Sequence, residues 1–253
     1  MWHHRDKQCA DVFQGTSAWD KLRAQCFNGS SCDKYITDNT KRSKDAAINS
    51  ALVKCQSVNM YELPQSESFK NAEWGHEQEI FAKDWIFKYS KTGACDYFHA
   101  ICDRDIETNL LVSPDLFHES GLFGIEIKCP TYQSGNHAYV INNVNNVSDL
   151  KEYNKAYYFQ IIASFIVFES AKKWFWCSYL GCMRDDYKLH VVEITRESVN
   201  GDIELLRKSL IEFRQIIKLT DHNSKDKRFT KRYNLQEQTD FQESTIDTQT
   251  EDG

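Results

Sequence analysis

The stretch Gly124-Ile125-Glu126-Ile127-Lys128-Cys129-Pro130 constrains this chain more than any other. Alternate side chains of a strand share a face, so Glu126 and Lys128 project one way while Ile125 and Ile127 project the other. Such a strand needs an apolar layer on one side and a polar site on the other. Pro130 ends it, because proline cannot donate to a ladder. A spacer of ten residues separates Glu126 from Ser113-Pro114-Asp115, which stands at the close of the apolar run Leu110-Leu111-Val112. If Asp115 ends the adjacent strand, two carboxylates and one ammonium meet at one point. Paired carboxylates with open coordination positions suit the hard cations Mg²⁺ and Mn²⁺. A lysine beside them can orient a water or neutralise charge on a phosphate. Glu-x-Lys alone is weak evidence, since a solvated strand with a Glu/Lys pair and a Pro-Asp turn gives the same letters. The ordered set with its spacer is more specific.

The rest of the pattern supplies layers for that strand. Asp20 to Lys34, Asp45 to Val58 and Glu73 to Tyr89 read as helices, the last with Trp74, Ile80, Phe81, Trp85 and Ile86 at helical spacing. Gly121 and Gly124 bracket a turn, and Ser134 to Asn146, polar and Asn-rich, reads as a flexible loop. Ser148 to Glu169 reads as one long helix and Ser198 to Leu219 as an amphipathic one, with strands at Trp174 to Tyr179 and Leu189 to Ile194 between them. Trp174, Phe175 and Trp176 read as core residues of their strand rather than base-stacking groups. The order predicts an α/β (α+β) fold, a central mixed sheet flanked by helices.

Composition agrees with a packed chain. Of 253 residues, 41% are hydrophobic and only 3 are proline, too apolar for a disordered protein. No apolar run reaches the roughly 20 residues of a membrane span, and the amino terminus lacks a signal-peptide core, so a soluble intracellular protein without a membrane partner is expected. Nine cysteines form no framework. Cys177, Cys182 and His190 have poor spacing for zinc, and reduced thiols are expected. The histidines at 76, 99, 118, 137 and 190 form no ligand pattern.

The net charge of −6 is unevenly spread. Six acids and no Lys or Arg lie from Glu237 onward, which leaves a body of zero net charge. The expected division is therefore one domain over 1–220, then a basic segment (Lys225, Lys227, Arg228, Lys231, Arg232) and an acidic, disordered tail over 221–253. On charge alone the basic segment, and the group Lys34, Lys41, Arg42 and Lys44, read as solvated surface.

Pro114-Asp115…Glu126-Ile127-Lys128 resembles the PD-(D/E)-x-K nuclease signature, and further motifs narrow the resemblance. Trp19-Asp20-Lys21-Leu22-Arg23 with Ser30, Trp74-Gly75-His76-Glu77-Gln78-Glu79, Ser113-Pro114-Asp115, Glu126-Ile127-Lys128-Cys129-Pro130 and Ala156-Tyr157-Tyr158-Phe159-Gln160 occur in the order found in the phage lambda-type exonucleases, the YqaJ viral recombinase family. The resemblance covers about Gln14 to about Leu219. It implies a restriction-endonuclease-like core and Mg²⁺-dependent 5′→3′ digestion of one strand of linear duplex DNA, with Mn²⁺ able to substitute. Asp115 and Glu126 would ligate the ion with the Ile127 carbonyl, Lys128 would position or activate water, Glu79 would assist at the metal-water edge, and Gln160 would hold water or phosphate. Arg23, Ser30 and Ser113 would bind a 5′-phosphate. It further implies a ring-shaped homotrimer, a single-strand annealing protein as partner, and a phage or prophage origin in a bacterial cytoplasm. Two positions depart from the family pattern: Leu116 stands where glycine is usual, and Ile162 where a second glutamine is common. The alternatives are a PD-(D/E)-x-K endonuclease and a non-catalytic DNA-binding subunit.

Overall fold

The computed structural model describes residues 9, 12, 14–36, 41–56, 67–89, 98–99 and 102–218. The basic segment from Lys225 and the acidic tail lie outside the described residues, as do the side chains of Lys41 and Arg42.

Ser17–Ala24 forms α1, capped by Thr16, whose side chain accepts from the Trp19 amide. The helix expected to run to Lys34 stops here. Phe27–Asn28 (β1) instead pairs in parallel with Leu110–Val112 (β4), and Gly29–Tyr35 is a 3₁₀ segment. Burial of Phe27 and Tyr35, whose rings meet edge to face at 4.7 Å, outweighs the local helical pattern. Lys41–Gln56 is α2 and Glu67–Tyr89 is α3, starting six residues before the expected Glu73.

Asp103–Asp105 (β3) joins β4 antiparallel, which completes a three-stranded sheet of order β1-β4-β3. The chain then changes sheets. Phe98–His99 (β2), Leu116–His118 (β5), Phe123–Lys128 (β6), Lys173–Tyr179 (β7) and Leu189–Thr195 (β8) make the second sheet, of order β2-β5-β6-β7-β8. Only the β6/β7 pair is parallel in it. Both sheets are mixed; the element order predicts a mixed sheet flanked by helices, and the strands are divided between two sheets rather than gathered in one.

Helices cover both faces of the larger sheet. On one side Ile125, Ile127, Cys177 and Tyr179 pack with Ala82 and Ile86 of α3. On the other, Trp174, Trp176, Val192 and Ile194 join the main core with Val147–Tyr153 (α5), Lys155–Val167 (α6) and the closing helix 196–218 (α7), which follows Asn136–Asn143 (α4) and α5–α6 in the chain. Trp174 and Trp176 are buried, as core residues should be. Gly124 makes this possible: a Cβ there would stand 2.6 Å from the Trp174 ring.

Two expectations for helices and loops need correction. The single helix over Ser148–Glu169 is two, because Asn154 is extended (φ −153°, ψ 99°) and its side chain caps α6 through the Tyr157 amide. The loop over Ser134–Asn146 contains α4, held down by buried His137 and Val140. No described helix is long and apolar enough to cross a membrane.

Candidate functional site

Asp115 does not end β4; it sits in the link between the sheets, immediately before β5. Leu116 pairs with Ile125, so extending that antiparallel register by one step sets Asp115 opposite Glu126. Its Oδ2 accepts a 2.6 Å bond from the Ile127 amide, which ties the carboxylate to the edge of β6. Leu116, the departure from the family's glycine, is the first residue of β5 and packs with Ile125, so a side chain is accommodated there. Ile162, the other departure, is fully buried in the core on the inner face of α6.

Glu126 is buried under α6 rather than facing solvent. Its Oε1 accepts from Lys128 Nζ at 2.7 Å and from Gln160 Nε2, and Lys128 Nζ also donates to Gln160 Oε1 at 3.0 Å. The three side chains thus close a ring of hydrogen bonds. Glu126 Oε2 is left buried with no protein partner. A charged oxygen in that position is costly unless something else meets it. The Lys128 ammonium also stands 5.1 Å over the Tyr157 ring.

Electrostatics follow from the burial. Desolvation raises the Asp115 carboxyl well above its ordinary value, and the charges of Glu126 and Glu79 add to it. Desolvation likewise raises Glu126, against the opposing pull of Lys128. For Lys128 burial works the other way, but Glu126 and Asp115 outweigh it and hold the ammonium protonated. Two carboxyls that resist joint ionisation, beside an uncommitted buried oxygen, fit a divalent cation: its charge reverses the penalty. The donors would be Asp115, Glu126 and the Ile127 carbonyl, an all-oxygen set suited to Mg²⁺ or Mn²⁺. Among the described residues no cluster of three or more His, Cys, Asp and Glu side chains is placed to hold a metal.

Glu79, on α3, is not bonded to this ring. Lys83 Nζ lies 2.5 Å from its Oε1 and His76 Nδ1 lies 3.8 Å from its Oε2. On the opposite wall, α1 and the 3₁₀ segment supply Arg23, which donates to Ser30 Oγ at 3.2 Å. Trp19, one turn before Arg23, stacks under its guanidinium at 4.7 Å and donates from Nε1 to Ser113 Oγ at 2.9 Å. All nine residues singled out from the sequence (Arg23, Ser30, Glu79, Ser113, Asp115, Glu126, Ile127, Lys128 and Gln160) line one open cavity of about 600 Å³.

Trp19 and Tyr157 belong to the site but were quoted from the sequence without a role. Helical spacing is the signal that could have found them. Trp19 precedes Arg23 by four residues and Tyr157 precedes Gln160 by three, so each shares a face with a site residue.

No curated protein sequence matches this chain. Among solved structures, an alkaline exonuclease (LHK-Exo) from Laribacter hongkongensis superposes with a TM-score of 0.59 at 17% identity, over 83% of this chain and 99% of that one. The same enzyme in complex with dAMP gives a TM-score of 0.61 at 17% identity and the same coverage. A phage related exonuclease from Haemophilus somnus 129PT gives 0.54 at 15% identity, over 81% of this chain and 99% of that one. At such identities the likeness establishes the fold, and it extends over nearly the full length of each neighbour. The sequence model of the YqaJ-like viral recombinase domain matches residues 18–173, more than half of the chain and every motif quoted above. The chain belongs to the YqaJ-like viral recombinase family.

Proposed function

We propose that this protein is a metal-dependent 5′→3′ exonuclease. It would degrade one strand of linear double-stranded DNA to 5′-mononucleotides and leave 3′ overhangs for phage-type recombination. The observation that carries the reading is the ring of Glu126, Lys128 and Gln160 beside Asp115, with Glu126 Oε2 buried and unpartnered. Family membership and the exonuclease names of the structural neighbours support it.

Asp115, Glu126 and the Ile127 carbonyl would hold Mg²⁺, or Mn²⁺ in its place. When bound, such an ion supplies charge stabilisation of the scissile phosphate and a more acidic water. The chain's own groups do the rest. Lys128, held as an ammonium by Glu126 and Asp115 in the metal-free protein, would position or activate the attacking water. Gln160 fixes the lysine through its Oε1 and Glu126 through its Nε2, and from there would hold the water or the scissile phosphate. Glu79, partnered by Lys83, lines the cavity and would assist at the metal-water edge. Arg23, Ser30 and Ser113 form the 5′-phosphate subsite, where a guanidinium matches phosphate oxygens and the Trp19 ring fixes its plane. Family membership also supports a ring-shaped homotrimer, a single-strand annealing partner and a phage or prophage origin in a bacterial host.

The test is digestion of a linear duplex labelled at one 5′ end, with and without Mg²⁺, beside a closed circle. Mononucleotides should appear from linear DNA only, faster with a 5′-phosphate than a 5′-hydroxyl. Lys128→Ala should lower turnover by about 10²-fold or more while the fold is kept. Cleavage of the circle would make the enzyme an endonuclease. DNA binding without turnover in any metal would make it a non-catalytic subunit.

A further inference from the structure

Helix α3 carries a glycine at position 75, well inside its 23 residues, where glycine weakens a helix relative to alanine. Packing among the described residues does not require it. A Cβ built on Gly75 meets no described atom within 4 Å, so no described residue needs the space. The space belongs to the cavity: Gly75 lines it, together with His76 and Glu79. Gly75 is four residues before Glu79, so the two lie on one face of α3, one turn apart. The other two α3 residues that line it carry polar side chains, and the lining also includes Pro130, Thr131 and Ser134 of the segment that follows Lys128.

The geometry points to Gly75 as the residue that sets clearance for the substrate. The sugar-phosphate backbone of the strand leading to the scissile bond passes against the bare backbone of α3 at Gly75, and a side chain there narrows the passage. This rests on the nuclease reading above and adds to it a residue that selects for access by a polymer. Gly201 is its internal comparison. It too is a mid-helix glycine, in α7, with open space around a built Cβ, but it is exposed and does not line the cavity.

The experiment compares Gly75→Ala, Gly75→Leu and Gly201→Ala with the wild type. Thermal unfolding, equilibrium binding to a 5′-phosphorylated duplex in Ca²⁺, and steady-state digestion in Mg²⁺ are measured on each. Both alanine variants should unfold a few degrees higher, roughly 2–4 °C, because each gains helix propensity. Gly201→Ala should bind and digest DNA like the wild type. Gly75→Ala should bind duplex about tenfold more weakly and raise KM more than it lowers kcat, and Gly75→Leu should do so more severely. Wild-type DNA affinity and KM in a stabilised Gly75→Ala overturn the inference, as does a fall in its unfolding temperature. Wild type that neither binds nor cuts DNA refutes the nuclease reading itself, and the inference with it. Wild type that binds without cutting still decides the passage, through the binding series.

Discussion

Asp115 shows how a buried side chain can cost stability in the service of a site. Desolvation, then Glu126 and Glu79, raise its carboxyl far above the 3.8 of an exposed aspartate. A carboxyl raised in the folded state contributes stability that is complete below the unfolded value and is lost as pH rises through the folded one. At neutral pH the metal-free protein therefore carries a penalty that a neutral isostere removes. Asp115→Asn should stabilise the metal-free protein by about 1 kcal/mol or more, roughly 2–4 °C, while abolishing turnover. The gain should grow from mildly acidic to neutral pH; thermal unfolding in EDTA across that range checks it, and a variant less stable than wild type at neutral pH would count against a penalised carboxyl. At this scale the sequence was informative, since Glu126 and Lys128 share a face through the period of two and Asp115 is tied to them by a short spacer. The Glu126–Gln160 and Trp19–Ser113 bonds were not legible, because 34 and 94 residues separate the partners.

Elements were legible where burial is periodic and illegible where a few long-range bonds decide. Nothing in Ser134–Asn146 resembles an amphipathic helix, yet α4 forms there. His137 explains it: Nε2 meets the Tyr187 carbonyl at 2.7 Å and must donate, so Nδ1 accepts from the Ser178 hydroxyl at 2.8 Å. Burial lowers the basicity of this ring, consistent with a neutral histidine locked between two partners. The end of α6 is a second case. Arg196, at the start of α7, donates to the carbonyls of Phe165, Phe168 and Ala171 at 2.7–2.9 Å, and so satisfies acceptors that a helix terminus leaves open. Its guanidinium also stands 5.0 Å over the Phe165 ring. Arg196→Met keeps the stem and removes the donors, and should cost about 3 kcal/mol. Arg196→Lys should fall between, because one ammonium cannot span three carbonyls. Denaturant unfolding of both variants measures this; equal stability for methionine and arginine would assign the site no capping role.

For the whole molecule, the change of sheets at Ser113–Asp115 is what brings the two halves of the site together. α1 and the 3₁₀ segment carry Arg23 and Ser30 beside the small sheet, and the large sheet with α3 and α6 carries the carboxylates. Strand order was outside the reach of a single sequence, since the β1–β4 pairing joins residues more than 80 positions apart. The same arrangement sets how stability responds to pH. In the metal-free protein Asp115 and Glu126 oppose folding increasingly as pH rises. His137 and Asp202 have the opposite sign. Burial depresses His137, so its contribution is lost as pH falls through the unfolded value near 6.5. Although burial alone would raise it, Asp202 is held low by Lys151 and Tyr158, and its contribution disappears only as pH falls below about 4. On the proposed function a divalent cation would bind the ionised pair, so loading it would release protons and become stronger as pH rises. Excess Mg²⁺ at about 100 times its Kd adds about 2.7 kcal/mol, which for a chain of this size is roughly 5–10 °C. The Mg²⁺-minus-EDTA difference in unfolding temperature should therefore be large at about pH 8 and shrink markedly at about pH 5.5. In Asp115→Asn it should be small at both. A shift of equal size at both pH values, or one that survives in Asp115→Asn, would place the cation elsewhere on the molecule.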